Sequence, residues 1–381
     1  MLSLNTLRFI LRGPFVSTFK IQAVFFLYLF LVAPSLVSGD SGSLDGILSS
    51  YRVYNLSTEQ MNQIAEKFEI TRRLYDKVNV GYEVIVPVSE KRTFFEIAPD
   101  ALLIERDISQ KVIRTRFQFA GAERYRSFDE VIEVMRQLEQ SRPDLVEVVQ
   151  YGESARGLPL LALKLSDNVK ADENEPELLL TAATHGDEII TTEVLVRMIE
   201  EAVSSYGADT RWTNLIHDRE IYFVPVVNPD GFTRAQRYEG LQDPNRSYPY
   251  PEKVDAKPTP SIAALIQFFE SRDFAGSIDF HAYGEMIMYP WAYTYSEVDS
   301  KDKNTFHQLT QKMAETNSYK YGPISKVIYV AKGSSADYYY WKKKTVALAI
   351  EIGTSKAPPP QSIPQSYLEQ KEPTLRFLEA F

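Results

Sequence analysis

A histidine at 185, a glutamate three residues on at 188 and a second histidine at 281 are the residues of this chain best suited to hold a metal. His185 and Glu188 stand in Thr181-Ala-Ala-Thr-His-Gly-Asp-Glu188, where an apolar run gives way to residues with helical spacing. A strand passing into a helix at that point can bring the imidazole and the carboxylate to one centre. His281 closes Ile278-Asp-Phe-His281, the end of another expected strand. Imidazole nitrogen and carboxylate oxygen suit Zn²⁺, and three protein ligands leave a fourth position for water, which distinguishes catalytic from structural zinc. A lone His-x-x-Glu occurs by chance at helix starts, so the motifs around it carry the argument.

Those motifs come in a definite order. Asn228-Pro-Asp-Gly231 ends the apolar run 221–227, and Asp243-Pro-Asn-Arg246 follows. His281-Ala-Tyr283 with Tyr289-Pro290 comes next, then Tyr329-Val-Ala-Lys-Gly-Ser-Ser335-Ala-Asp337. Last is Glu351-Ile-Gly, where an ionisable group ends the apolar run Val346-Ala-Leu-Ala-Ile350. From about 126 to about 358 this set resembles the zinc carboxypeptidases of the A and B type, with a looser likeness over the segment before it.

The resemblance implies one Zn²⁺ per chain on His185, Glu188 and His281. It implies Glu351 as the general base that takes a proton from metal-bound water and passes it to the leaving amine. Arg237 would stabilise the developing oxyanion, with Arg234 as its rival. Asn245 and Arg246 would hold the substrate's terminal carboxylate, which the planar guanidinium fork matches, and Tyr329 would close over it. The specificity-pocket positions fall on Ala292, Ala331 and Ala336. None is acidic, which implies neutral or apolar C-terminal residues rather than Lys or Arg. Lys332 lies beside them, either drawing in an acidic side chain or pointing to solvent. Asp187 stands where the digestive enzymes carry Arg, which removes a subsite contact. His217, in an expected pre-strand loop, and His307, on an expected surface helix, read as structural.

The elements that must position these residues alternate from 126 onward. Helices are expected near 128–140, 188–202, 261–269 and 303–316. Strands are expected near 146–151, 159–165, 177–182, 221–227, 277–281 and 346–351. Such alternation predicts an α/β fold, a mixed and largely parallel sheet with helices on both faces. His185, Asn228, His281 and Glu351 then fall at or just past the carboxyl ends of strands, where such sheets bind ligands. Before 110, a strand at 51–54, a helix at 58–68 capped by Ser57 or Thr58, and strands at 82–88 and 101–104 predict a small α+β domain. It is similar to the ferredoxin-like pro-segment of secreted zinc carboxypeptidases. A permanent accessory domain is the other reading.

The 381 residues allow two domains and a sizeable core, with 44% hydrophobic and 24% charged residues in the ordinary globular range. There is no cysteine, which excludes disulfides, thiolate ligands and a Cys nucleophile. Arg8, Arg12 and Lys20 precede the apolar run 21–32, and Val37-Ser-Gly39 resembles a signal cleavage site. The domains expected are a signal peptide at 1–39, a flexible 40–46, a pro-domain at 47–110, a linker at 111–125 and a catalytic domain at 126–381. Net charge is −9, and losing the three basic residues of 1–39 takes it to −12. An acidic chain argues against nucleic acid as partner. The partners expected are peptide or protein C-termini and an activating protease cutting near Lys111, Arg114, Arg116, Arg124 or Arg126. No membrane contact is expected after signal removal, and the protein is read as secreted or periplasmic. Two other readings are a murein-peptide hydrolase of related fold and a non-catalytic peptide-binding homologue; hydrolysis assays on both substrate types separate them.

Overall fold

The computed structural model describes residues 47–75, 80–117 and 124–381; the expected signal peptide lies outside them. Its N-terminal part is a four-stranded antiparallel sheet. The strands are β1 (Leu48–Tyr54), β2 (Glu69–Tyr75), β3 (Val80–Pro87) and β4 (Leu102–Glu105), in the order β2-β3-β1-β4. With helices Thr58–Lys67 and Lys91–Ile97 after β1 and β3, this is the split βαβ arrangement of a ferredoxin-like unit. Ser57 starts the first helix by accepting from the Gln60 N–H, while the Gln60 side chain returns to the Ser57 N–H, a reciprocal capping box. Ile64, Phe68, Phe94 and Ile97 pack onto Tyr51, Val53, Val84 and Val86.

The segment after β4 differs from expectation. Helix Ile108–Phe117 covers the first part of the predicted linker and buries Val112, so Lys111 and Arg114 are helical. Residues 118–123 lie outside the described set. Beyond them Arg124 pairs with Glu130, and Arg126 reaches the buried Glu193 and, at 2.9 Å, Glu200.

The larger sheet has eight strands: β5 (Val146–Glu153), β6 (Pro159–Leu165), β7 (Glu177–Ala182), β8 (Glu220–Val224), β9 (Phe274–His281), β10 (Met286–Tyr289), β11 (Lys320–Pro323) and β12 (Val346–Glu351). Their order is β11-β10-β12-β9-β7-β8-β6-β5. The central strands β12, β9, β7 and β8 are parallel, and antiparallel pairings enter toward both edges. Both faces are buried, which is why the central strands read as continuous apolar runs. Leu178, Leu180, Ile221, Phe223, Ile278 and Ile350 face one core, under helices Phe128–Ser141, Ile189–Ser205 and Ile363–Leu378. Leu179, Tyr222, Val224, Ala347 and Ala349 face the other, under Pro260–Glu270 and Ser335–Lys343.

Some expectations shift. The strand expected to reach 227 ends at Val224, because Pro225 has no N–H to continue the ladder. His217 is not in a loop; it closes helix Thr210–His217, with its ring exposed beside Asp167 at 3.3 Å. His307 lies exposed on helix Ser300–Ala314, as expected.

Candidate metal centre and its cleft

Parallel pairing of β7 with β9, Leu180 against Ile278 and Ala182 against Phe280, brings the ends of these strands side by side. After β7 the backbone turns through Ala183, at φ 49°, and enters helix Ile189–Ser205 with Glu188 as its N-cap residue. His185 Nδ1 then lies 2.9 Å from one Glu188 oxygen, and His281 Nδ1 lies 3.1 Å from the other. The two Nδ1 atoms are 3.1 Å apart. All three side chains are buried, and one donor atom of each lies within 4.8 Å of the others. Two imidazole nitrogens and a carboxylate converging on one point fit zinc.

Each ring is fixed from behind. His185 Nε2 meets Asp243 Oδ1 at 3.1 Å, and His281 Nε2 meets Asp279 Oδ2 at 3.0 Å, so both Nδ1 atoms face the centre. Asp279 also accepts from Thr181, Thr184 and Ser335 hydroxyls at 2.8, 2.9 and 2.8 Å. Burial alone would raise the Asp243 carboxyl; Arg237 and His185 more than offset it and hold the group well below its usual range.

Glu351 ends β12 opposite His281 in parallel register and lines the same cavity. Burial, then the negative charge of Glu188, pushes its carboxyl up from 4.5 to about 8, with His281 and Arg237 pulling the other way. Arg237 is buried in the cleft, with Nε and Nη2 on Asp243 at 3.0 and 2.9 Å and Nη1 3.4 Å from Glu188. Its sequence rival Arg234 is exposed and donates to the Asp230 carbonyl at 3.0 Å.

Asn245 and Arg246 sit in the short turn Pro244–Arg246. The Asn245 side chain meets His281 Nε2 at 3.0 Å and accepts from the Ser335 N–H at 3.0 Å. Arg246 donates to the Tyr329 hydroxyl and, at 2.8 Å, to the Asn245 carbonyl. The turn packs on Gly333, at φ +81°, where a Cβ would come within 2.5 Å of the Arg246 carbonyl oxygen. Of the three alanines, Ala331 and Ala336 line the cavity, together with Met288, Ile324, Ile328 and Ala349. Ala292 lies behind that wall; its carbonyl accepts from Ala331 at 2.8 Å and its N–H donates to Asp337 at 2.7 Å. Lys332 is exposed, 3.7 Å from Glu252.

Several site residues escaped the sequence reading. Asp279 had a signal, because residues two apart on a strand share a face and it stands two before His281. Lys356 had no signal for its partner: it pairs with buried Asp187 at 2.9 Å, from the loop beyond β12. Glu69, Ile70 and Thr71 come from the small sheet and still line the cavity. The Glu69 carboxylate bridges Arg237 at 2.8 Å and Lys356 at 3.0 Å, and the Tyr283 hydroxyl donates to Glu83 at 2.8 Å.

Residues 131–373 match the family described as zinc carboxypeptidase. In sequence the chain is similar to a zinc carboxypeptidase of Saccharothrix mutabilis subsp. capreolus, 28% identical over 66% of this chain and 67% of that protein. It is also similar to carboxypeptidase A2 of Mus musculus, 27% identical over 59% of this chain and 61% of the relative. The chain thus spans about three-fifths to two-thirds of the length of these two relatives. In structure it is similar to the carboxypeptidase A of Helicoverpa armigera, with a TM-score of 0.74 over 88% of this chain and 98% of the other. At 18% identity, that likeness is one of fold.

Proposed function

The chain belongs to the zinc carboxypeptidase family, with His185, Glu188 and His281 as its zinc ligands, and from that premise we propose that it is an exported enzyme removing one residue from peptide C-termini. The observation that carries this reading is the joint lining of one cavity by the zinc ligands, Glu351, Arg237, Asn245, Arg246 and Tyr329. Zinc, when bound there, acidifies a coordinated water and polarises the scissile carbonyl. Arg246, helped by Asn245 and Tyr329, holds the terminal carboxylate and sets which bond reaches the centre. Arg237 faces the carbonyl oxygen and stabilises the charge it gains. Glu351 takes the water's proton and delivers it to the departing amine, so the products are a shortened peptide and a free amino acid. Met288, Ile324, Ile328, Ala331, Ala336 and Ala349 offer the leaving residue an apolar slot, which supports neutral or apolar C-terminal residues. An acyl-dipeptide series differing only in the last residue tests this; faster release of Lys or Arg than of Leu or Phe would contradict it.

A general base works only when ionised, so activity should fall as pH drops through the Glu351 pKa. Protein groups raise it toward about 8, and a bound dication lowers it again. The acid limb of kcat/KM is therefore expected between the usual 4.5 and about 8. An acid limb that persists unchanged in the residual turnover of Glu351→Gln would exclude Glu351 as the base.

The N-terminal unit supports a precursor reading. Glu69 occupies the cations nearest the zinc ligands, and Ile70 and Thr71 fill the space beside it. Limited cleavage in the 111–125 segment is expected to raise activity on peptides by at least tenfold, the scale of relieving one charge-assisted contact. Glu69→Gln should raise the activity of the intact chain part of the way. Equal activity before and after cleavage would identify a permanent accessory domain. Among the described residues no helix is long and apolar enough to cross a membrane; export rests on the 1–39 signal.

A further inference from the structure

Lys356 is a buried ammonium in contact with three carboxylates. It lies 2.9 Å from Asp187 Oδ2, 3.0 and 3.4 Å from the two Glu69 oxygens, and 3.7 Å from Glu188 Oε1. Asp187 and Glu188 belong to its own catalytic unit, whereas Glu69 is delivered by β2 of the small sheet. Arg237 holds the same Glu69 carboxylate at 2.8 Å. The chain therefore carries, inside its own cleft, an extended strand whose acidic side chain is clasped by two cations. When that strand leaves, Arg237 keeps Asp243 and regains a donor for the scissile carbonyl oxygen, while Lys356 keeps Asp187 and has donors to spare for one more carboxylate.

The position of Lys356 relative to the zinc ligands indicates which part of a peptide would reach it. Asn245, which with Arg246 marks the terminal-carboxylate end, touches His281. Lys356 lies against Asp187 and Glu188 Oε1, the oxygen that meets His185 rather than His281. A peptide running from Arg246 across the zinc ligands arrives at Lys356 with the residues upstream of the scissile bond. We infer that Lys356 forms a carboxylate seat on the acyl side of the site, so that the enzyme favours Asp or Glu within the two residues before the bond it cuts. This specificity rests on the carboxypeptidase reading above and adds to it a substrate class: acidic peptides with an apolar last residue. Asp187, by pairing with Lys356, orients the ammonium and keeps the seat from binding any anion indiscriminately.

The test uses the full chain after limited proteolysis, loaded with zinc. Its probes are acetyl-Glu-Ala-Phe, acetyl-Ala-Glu-Phe and their Gln counterparts, which differ in charge but hardly in shape. The Glu/Gln ratio is read twice, as kcat/KM in the active protein and as Kd by calorimetry in its Glu351→Gln form. A ratio of about tenfold at one of the two positions is expected, the scale of one charge-assisted contact. It should survive in Lys356→Arg and fall to about one in Lys356→Met. Because Lys356→Met leaves Asp187 buried without its partner, the Asp187→Asn/Lys356→Met pair is measured beside it and should behave alike. Comparing two substrates on one protein cancels any loss of folded fraction. A ratio near one in the unmodified chain, or a ratio that Lys356→Met and the double variant both retain, overturns the inference. Failure of the carboxypeptidase reading itself would show differently: turnover would be missing while the calorimetric ratio still reported on the seat.

Discussion

Replacing Glu351 with Gln is expected to lower kcat by about 10³- to 10⁴-fold, near the upper range for loss of a positioned general base. The zinc content should stay at one per chain. Glu351 is not among the three converging ligands, and its register partner on β9 is His281, so the amide can keep the strand geometry. The charge it loses is the one that Glu188 repels and burial disfavours, so folding should not suffer. What disappears is the ability to accept a proton at the carbonyl and return it to the amine. Metal analysis and turnover on the same sample check this. A metal-replete variant with turnover within about tenfold of the parent would assign the proton transfer to another group.

Arg246→Ala should cost free-acid peptides about 2–4 kcal/mol in kcat/KM, roughly 30- to 1,000-fold, while C-terminally amidated peptides change little. The guanidinium lines the cavity and is braced by the Tyr329 hydroxyl and the Asn245 carbonyl, so its remaining donors are aimed rather than free to wander. A planar fork against a carboxylate makes two parallel charge-assisted bonds; an amide offers one oxygen and no charge. The unmodified enzyme should therefore prefer the free acid strongly, and the variant should lose most of that preference. Equal losses on acid and amide would mean that Arg246 supports the turn at 244–246 rather than the substrate.

The zinc ligands were legible because each sits where a local pattern changes character. Leu178–Leu180 is apolar on both faces, so the next polar residues had to emerge at the strand's carboxyl end, beside β9. The capped helix Thr58–Lys67 was equally plain, since Ser57 and Gln60 act within four residues. Helix Ile363–Leu378 was missed, because Pro364 and Pro373 disguise a segment whose first proline sits in the first turn and whose second is buried in the packed interior. Helix Thr210–His217 escaped as well; it is two turns long and its cap, Asp209, has no partner glutamate or glutamine three residues on. Arg237 was the first candidate in sequence and Arg234 its rival, and burial places only Arg237 in the cleft. The Asp187–Lys356 pair and the Glu69 bridge could not be read at all. Their members come from different elements far apart in the chain, and no periodicity links a loop lysine to a carboxylate on another sheet.

Removal of single residues from free C-termini, with zinc on His185, Glu188 and His281, is the activity expected of this cleft. It is tested most directly by following one peptide of mixed sequence by mass spectrometry during incubation with the proteolytically processed, zinc-loaded protein. The expected result is a ladder that shortens one residue at a time from the C-terminus, stops under a chelator, resumes on adding Zn²⁺, and is absent for the amidated peptide. Internal fragments, or a ladder that persists when the metal is stripped, would contradict it.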